Sequence, residues 1–150
     1  MAEDRIFRHC GMIKQVFHVE DYWEVVIFYN VDYSLFPIIG NEIGKLGITR
    51  HSLKVLKKNI KSGKAKAVTC SSLGKHRSVV LFNRHHDNID YINSLVHEAE
   101  HIKQAMLEAY HVEDKGEPPA YTIGYLVGRM WEVFHNVVMK QTLLGLLDSC

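Results

Sequence analysis

The sequence predicts a small α+β protein in which an antiparallel or mixed sheet packs on helices, and three observations carry that prediction. The first half alternates runs rich in Val, Ile, Phe, Tyr and Trp with glycine-bearing breaks, the composition of short strands. The second half holds two stretches with apolar residues at helical spacing, Ile89 to Tyr110 and Glu117 onward. A length of 150 residues with 47% hydrophobic and 23% charged content suits one domain, 1–150, with a real core.

Ile13 to Asn30 reads as two short strands or one interrupted strand, Tyr22 to Tyr29 being the firmer part, and Val25-Val26-Ile27-Phe28 suggests cover on both faces. Leu35 to Gly40 is apolar, but Gly40, Gly44 and Gly47 are expected to break up any regular element there. Thr49 or Ser52 caps a helix with Leu53, Leu56 and Ile60 inside, ending near Ser62-Gly63. Ala65 to Ser71 and Ser78 to Asn83 form a hairpin around Ser72-Leu73-Gly74-Lys75, and the exposed edge of the strand before the next helix could align an extended peptide. Asp87 or Asn88 caps that helix, whose core stripe is Ile92, Val96, Ala99, Ile102, Met106 and Ala109, beside a polar stripe of Asn93, His97, His101, Gln104 and Glu108. Glu117-Pro118-Pro119-Ala120 opens the following helix, and Val137 to Leu147 extends it after a bend or forms a closing helix.

His97-Glu98-Ala99-Glu100-His101 lies within the longer helical stretch. Histidines four apart share a helix face, so their imidazoles can close on one zinc ion while Glu98 reaches the water bound to it. Glu98 is the expected general base, since Glu100 faces away from the pair. A catalytic zinc takes three protein ligands, and the third must come from elsewhere. Glu117 is the preferred candidate because it begins a helix that can fold back on the first; Glu108 and Asp114 are rivals. Tyr121, one turn after Glu117, would stand near the metal water or a bound oxyanion. Gly124 and Gly128 would allow the two helices to approach closely.

With these residues the chain resembles compact gluzincin-like zinc metallopeptidases, in particular the short uncharacterised metallopeptidase-like proteins of bacterial and phage genomes. Glu117-Pro118-Pro119-Ala120-Tyr121-Thr122-Ile123-Gly124-Tyr125 looks like the glutamate, alanine-tyrosine, glycine-tyrosine helix that follows the histidine motif in that group. The likeness runs from about Ser78 to Trp131. It implies a zincin-like fold with zinc on His97, His101 and Glu117, and Glu98 activating water for hydrolysis of a peptide or protein amide bond. The alternative function is a noncatalytic zinc-containing regulatory or nucleic-acid-associated binding module.

A net charge of +1 excludes strong bulk attraction to nucleic acid or lipid. Lys45, Arg50, Lys54, Lys57, Lys58, Lys61, Lys64 and Lys66 nevertheless follow one another with no acidic residue between them, a strip that could meet an acidic partner or nucleic acid. Three widely spaced cysteines read as reduced thiols, no leader is visible at the N-terminus, and no apolar run is long enough to cross a membrane, so a cytoplasmic location is expected. No phosphate-cradling glycine loop points to a nucleotide or organic cofactor.

Overall fold

The computed structural model describes residues 4–139, apart from the side chain of Val137. Strands β1 (Arg5–His9), β2 (Met12–Val19), β3 (Trp23–Tyr29), β4 (Ala67–Ser72) and β5 (Arg77–Phe82) are joined with helices α1 (Phe36–Gly44), α2 (Arg50–Lys61), α3 (Asn88–Ala109) and α4 (Glu117–Val133) into an α+β arrangement. The sheet is mixed: in the order β1-β2-β3-β5-β4, every neighbouring pair is antiparallel except β3 with β5.

Alternation along the strands sorts their side chains onto two faces. Ile13, Phe17, Val25, Ile27, Tyr29, Val80 and Phe82 turn toward α3 and α4, where they meet Leu95, Ala99, Ile102, Leu126 and Met130. Met12, Val16, Val26, Phe28, Val79 and Leu81 turn toward α1 and α2 and meet Phe36, Ile39, Ile43, Leu56 and Ile60. The Val25–Phe28 run is therefore covered on both sides, as its unbroken apolarity requires.

Four departures from the sequence reading have physical causes. β1 escapes notice because it is a largely exposed edge strand with two arginines and a histidine among its five residues. α1 forms despite Gly40 and Gly44 because Phe36, Ile39 and Ile43 fall at helical spacing and are all buried. Each such side chain contributes roughly 1.5–3 kcal/mol, more than the ~1 kcal/mol a helical glycine costs. The Ala67–Ser72 and Arg77–Phe82 hairpin is present, but β5 lies inside the sheet and the open edge belongs to β4. In α3 the buried face is Tyr91, Leu95, Glu98, Ala99 and Ile102, while Val96, expected in the core, is 43% exposed.

The caps agree with their sequence signals: Thr49 Oγ1 accepts from the Ser52 amide at 3.1 Å and Asp87 Oδ1 from the Ile89 amide at 2.8 Å. After α4 a π-helical turn spans Phe134–Met139, and the rest of the expected C-terminal helix lies outside the described residues. Cys70 is a free thiol whose pKa is raised by burial and by nearby Glu98, which suits a packing residue. Cys10, expected to be reduced as well, is disulfide-bonded. Among the described residues no helix is long and apolar enough to cross a membrane.

Candidate functional site

α3 packs beside β4, an edge strand of the sheet, and between them runs a cleft of about 410 Å³ lined by Thr69, Ser71, His97, Glu98, His101 and Glu108, among others. Helical periodicity divides the motif between two environments. His97 and His101 are exposed at the mouth, whereas Glu98, one position on, rotates toward the sheet and is only 4% exposed.

The two imidazoles stand nearly edge to face, with ring centroids 4.8 Å apart, and their Nε2 atoms lie 3.1 Å from each other. Two nitrogens on one tetrahedral zinc, each at roughly 2.0–2.1 Å, are separated by about 3.3 Å. The pair thus has the bite of two tetrahedral corners. Without an ion, one Nε2–H donates to the other ring; with one, both rings carry their proton on Nδ1 and present lone pairs.

Glu98 is held from the opposite wall. The Thr69 hydroxyl on β4 donates to Glu98 Oε2 at 2.5 Å, and Oε1 has no hydrogen-bond partner among the described residues. Sequence reasoning missed Thr69. Its only trace was a Thr69, Ser71 alternation placing hydroxyls on one face of an edge strand, where Ser71 Oγ in turn meets Ser78 Oγ at 2.7 Å.

Glu117 and Tyr121 do not join this cleft. They line a separate cavity with His18, Glu20, Asp21, Met106, Tyr110 and Tyr125. Among the described residues no group of three or more His, Cys, Asp or Glu side chains is placed to hold a metal ion, so the expected triad of His97, His101 and Glu117 is not assembled. The reason is length. α3 continues from His101 to Ala109, about 12 Å at 1.5 Å per residue, before the chain turns, and Glu117 opens α4 beyond that end.

Of the rival ligands, Glu108 lines the histidine cleft, while Asp114 is bound at 2.9 Å by Lys103, which also bridges to Glu100 at 2.7 Å. Those contacts raise the Lys103 pKa, Glu100 foremost. Gly124 and Gly128 are exposed, and a methyl added at either would have no neighbour within 4 Å, so they do not form the helix contact expected of them. The basic strip lies chiefly on α2, across the sheet from the cleft; Lys45 pairs with Glu42 and Lys66 with Asp90, while Lys57 and Lys61 lie over the Tyr33 ring.

Comparison with protein-family models, curated proteins and solved structures finds no significant match.

Proposed function

We propose that the protein is a zinc-dependent hydrolase of peptide or protein amide bonds, with His97 and His101 as metal ligands and Glu98 as general base. The observation that carries this reading is the pairing of a 3.1 Å Nε2–Nε2 separation with a carboxylate fixed one position away in the same cleft. A bound zinc supplies Lewis acidity, polarising the carbonyl and making a water acidic. The chain itself supplies the rest. Thr69 holds one oxygen of Glu98, leaving Oε1 to take the proton of the attacking water and return it to the leaving amine. The open edge of β4 forms the wall opposite the histidines and offers unpaired backbone groups to an extended peptide. His97 and His101 would be the protein's two donors to the ion, and water or substrate would complete its coordination.

The test is metal content with activity. Protein purified without chelator is expected to carry one zinc, lost in His97→Ala and in His101→Ala while the fold persists, since both side chains are exposed. Glu98→Gln is expected to keep zinc and lose cleavage of a peptide library. Zinc retention with no cleavage by wild type would identify the noncatalytic zinc module instead, and metal-free wild type after zinc titration would remove both readings.

A further inference from the structure

The cavity that takes Glu117 and Tyr121 has no part in the proposed hydrolysis. It is about 670 Å³, within the range of pockets that enclose small organic ligands. Three elements build it: the β2–β3 turn with Glu20 and Asp21, the end of α3 with Met106, Leu107 and Tyr110, and the first turns of α4. Its chemistry is graded. Val19, Met106 and Leu107 are buried and give an apolar wall, while Glu20, Asp21 and Glu117 are exposed carboxylates. No lysine or arginine lines it, and none of the three carboxylates has an ion-pair partner among the described residues.

Two further features set the sign of the potential. Glu20 and Asp21 are held in left-handed conformations, φ 51° and 62°, by the tight turn closed through the Tyr22 amide to Val19 oxygen bond of 3.1 Å, so their position is fixed by the hairpin. Tyr110 and Tyr121 bring aromatic rings to the same space, while the Tyr125 ring already carries the Arg129 guanidinium 5.6 Å from its centroid. Ring faces and carboxylates both favour a cation, and the apolar wall favours one with a hydrocarbon body. Burial, and then Tyr22 and Glu20 beside it, raise the Tyr110 pKa, which keeps that ring neutral.

We propose that this cavity is a binding site for an apolar organic ammonium ion, its hydrocarbon part against Val19, Met106 and Leu107 and its charge among Glu20, Asp21 and Glu117. The site stands apart from the histidine cleft and does not depend on metal there.

Three probes with one aryl body and different charge test it: 2-phenylethylammonium, 2-phenylethanol and phenylacetate, titrated into the full chain by calorimetry and by amide chemical shifts. The ammonium is expected to bind at least tenfold more tightly than the alcohol, with shifts at Glu20, Asp21 and Tyr121, and the carboxylate not at all. Raising salt should narrow the difference between ammonium and alcohol, because the carboxylates are exposed. The triple variant Glu20→Gln, Asp21→Asn, Glu117→Gln should reduce the ammonium to the affinity of the alcohol; Tyr121→Ala, at a 70% exposed position, should weaken the ammonium without unfolding the chain. Equal affinity for all three probes, binding that the triple variant leaves unchanged, or no binding of any probe would overturn the proposal.

Discussion

Thr69 on the edge strand donates its hydroxyl to Glu98 on α3 at 2.5 Å, joining the sheet to the middle of the His97–His101 motif. A carboxylate that is 4% exposed needs such a donor. Thr69→Val replaces the hydroxyl by a methyl of similar size. Leaving a buried acceptor unpaired costs about 1–3 kcal/mol, visible as a lower melting temperature. For the proposed zinc hydrolase the same change is expected to lower kcat by about 10- to 100-fold, in the manner of partners that orient functional groups, with zinc content unchanged. Thr69→Ser restores the donor and should recover both properties; a kcat unaffected by Thr69→Val would mean that this bond does not position the base.

Glu42 is the hub of a second buried network. Its carboxylate meets Lys14 at 3.3 Å, Lys45 at 3.0 Å and the Arg77 guanidinium, and Arg77 also binds the Glu42 carbonyl at 2.6 Å and Glu24 at 2.7 Å. Burial works to raise the Glu42 pKa, but the hydrogen bonds and charges of Lys45, Lys14 and Arg77 outweigh it and hold the value below 4.5. A depressed carboxylate stabilises the fold above its unfolded pKa, and that stability is lost as pH falls through the lower folded value. Glu42→Gln takes the negative charge from Lys14, Lys45 and Arg77 while Arg77 keeps Glu24 and the backbone carbonyl, and is expected to cost about 2 kcal/mol at neutral pH. Urea melts should show the difference between wild type and variant shrinking as pH drops below about 4.5; a difference that stays constant would assign the effect to packing.

His85 titrates with the opposite chemistry and the same direction of loss. It stacks on Tyr91 at 4.4 Å, donates Nδ1–H to the Asn83 carbonyl at 2.7 Å, and accepts at Nε2 from Ser94 at 2.9 Å. The carbonyl can only accept, which fixes the neutral tautomer. Burial lowers its pKa from 6.5, with the Asn83 bond and Asp90 opposing and Lys66 and His86 assisting. The unfolded chain therefore binds a proton first, and stability declines as pH falls from about 6.5 through the lower folded value. His85→Gln is expected to be less stable than wild type at about pH 8 and to lose less on acidification to about pH 5.5. An NMR titration placing the His85 pKa above 6.5 would contradict this.

How much of this was legible in the sequence depended on whether a feature was local. α3 was legible because Asp87, the apolar periodicity and the motif all act within one helix, and the β4–β5 hairpin because its turn lies between two apolar runs. The histidine pair is likewise a property of four-residue spacing alone. The partner of Glu98 was not legible, because Thr69 reaches it across 29 positions of chain through the order of strands in the sheet. Glu117 was misplaced for a related reason: helix order suggested that it folds back, but the distance from His101 to the end of α3 decides where it arrives. Glu98 itself sat in a polar-looking sequence yet is buried, since the face of α3 against the sheet is centred nearer Leu95 and Ile102 than Val96.

The glycines of α4 give a direct check on how that helix sits. Gly124 and Gly128 are exposed on a helix interior, and an added methyl at either meets no atom within 4 Å. Neither has a positive φ, so alanine fits the backbone without strain. Replacing a helical glycine by alanine removes conformational freedom from the unfolded chain and is worth roughly 0.4–1 kcal/mol in favour of the fold. Gly124→Ala and Gly128→Ala are therefore each expected to raise the melting temperature. Had these glycines formed the seam between α3 and α4, each methyl would instead push the helices apart and lower stability. A melting temperature reduced by either substitution would return that glycine to a seam with α3.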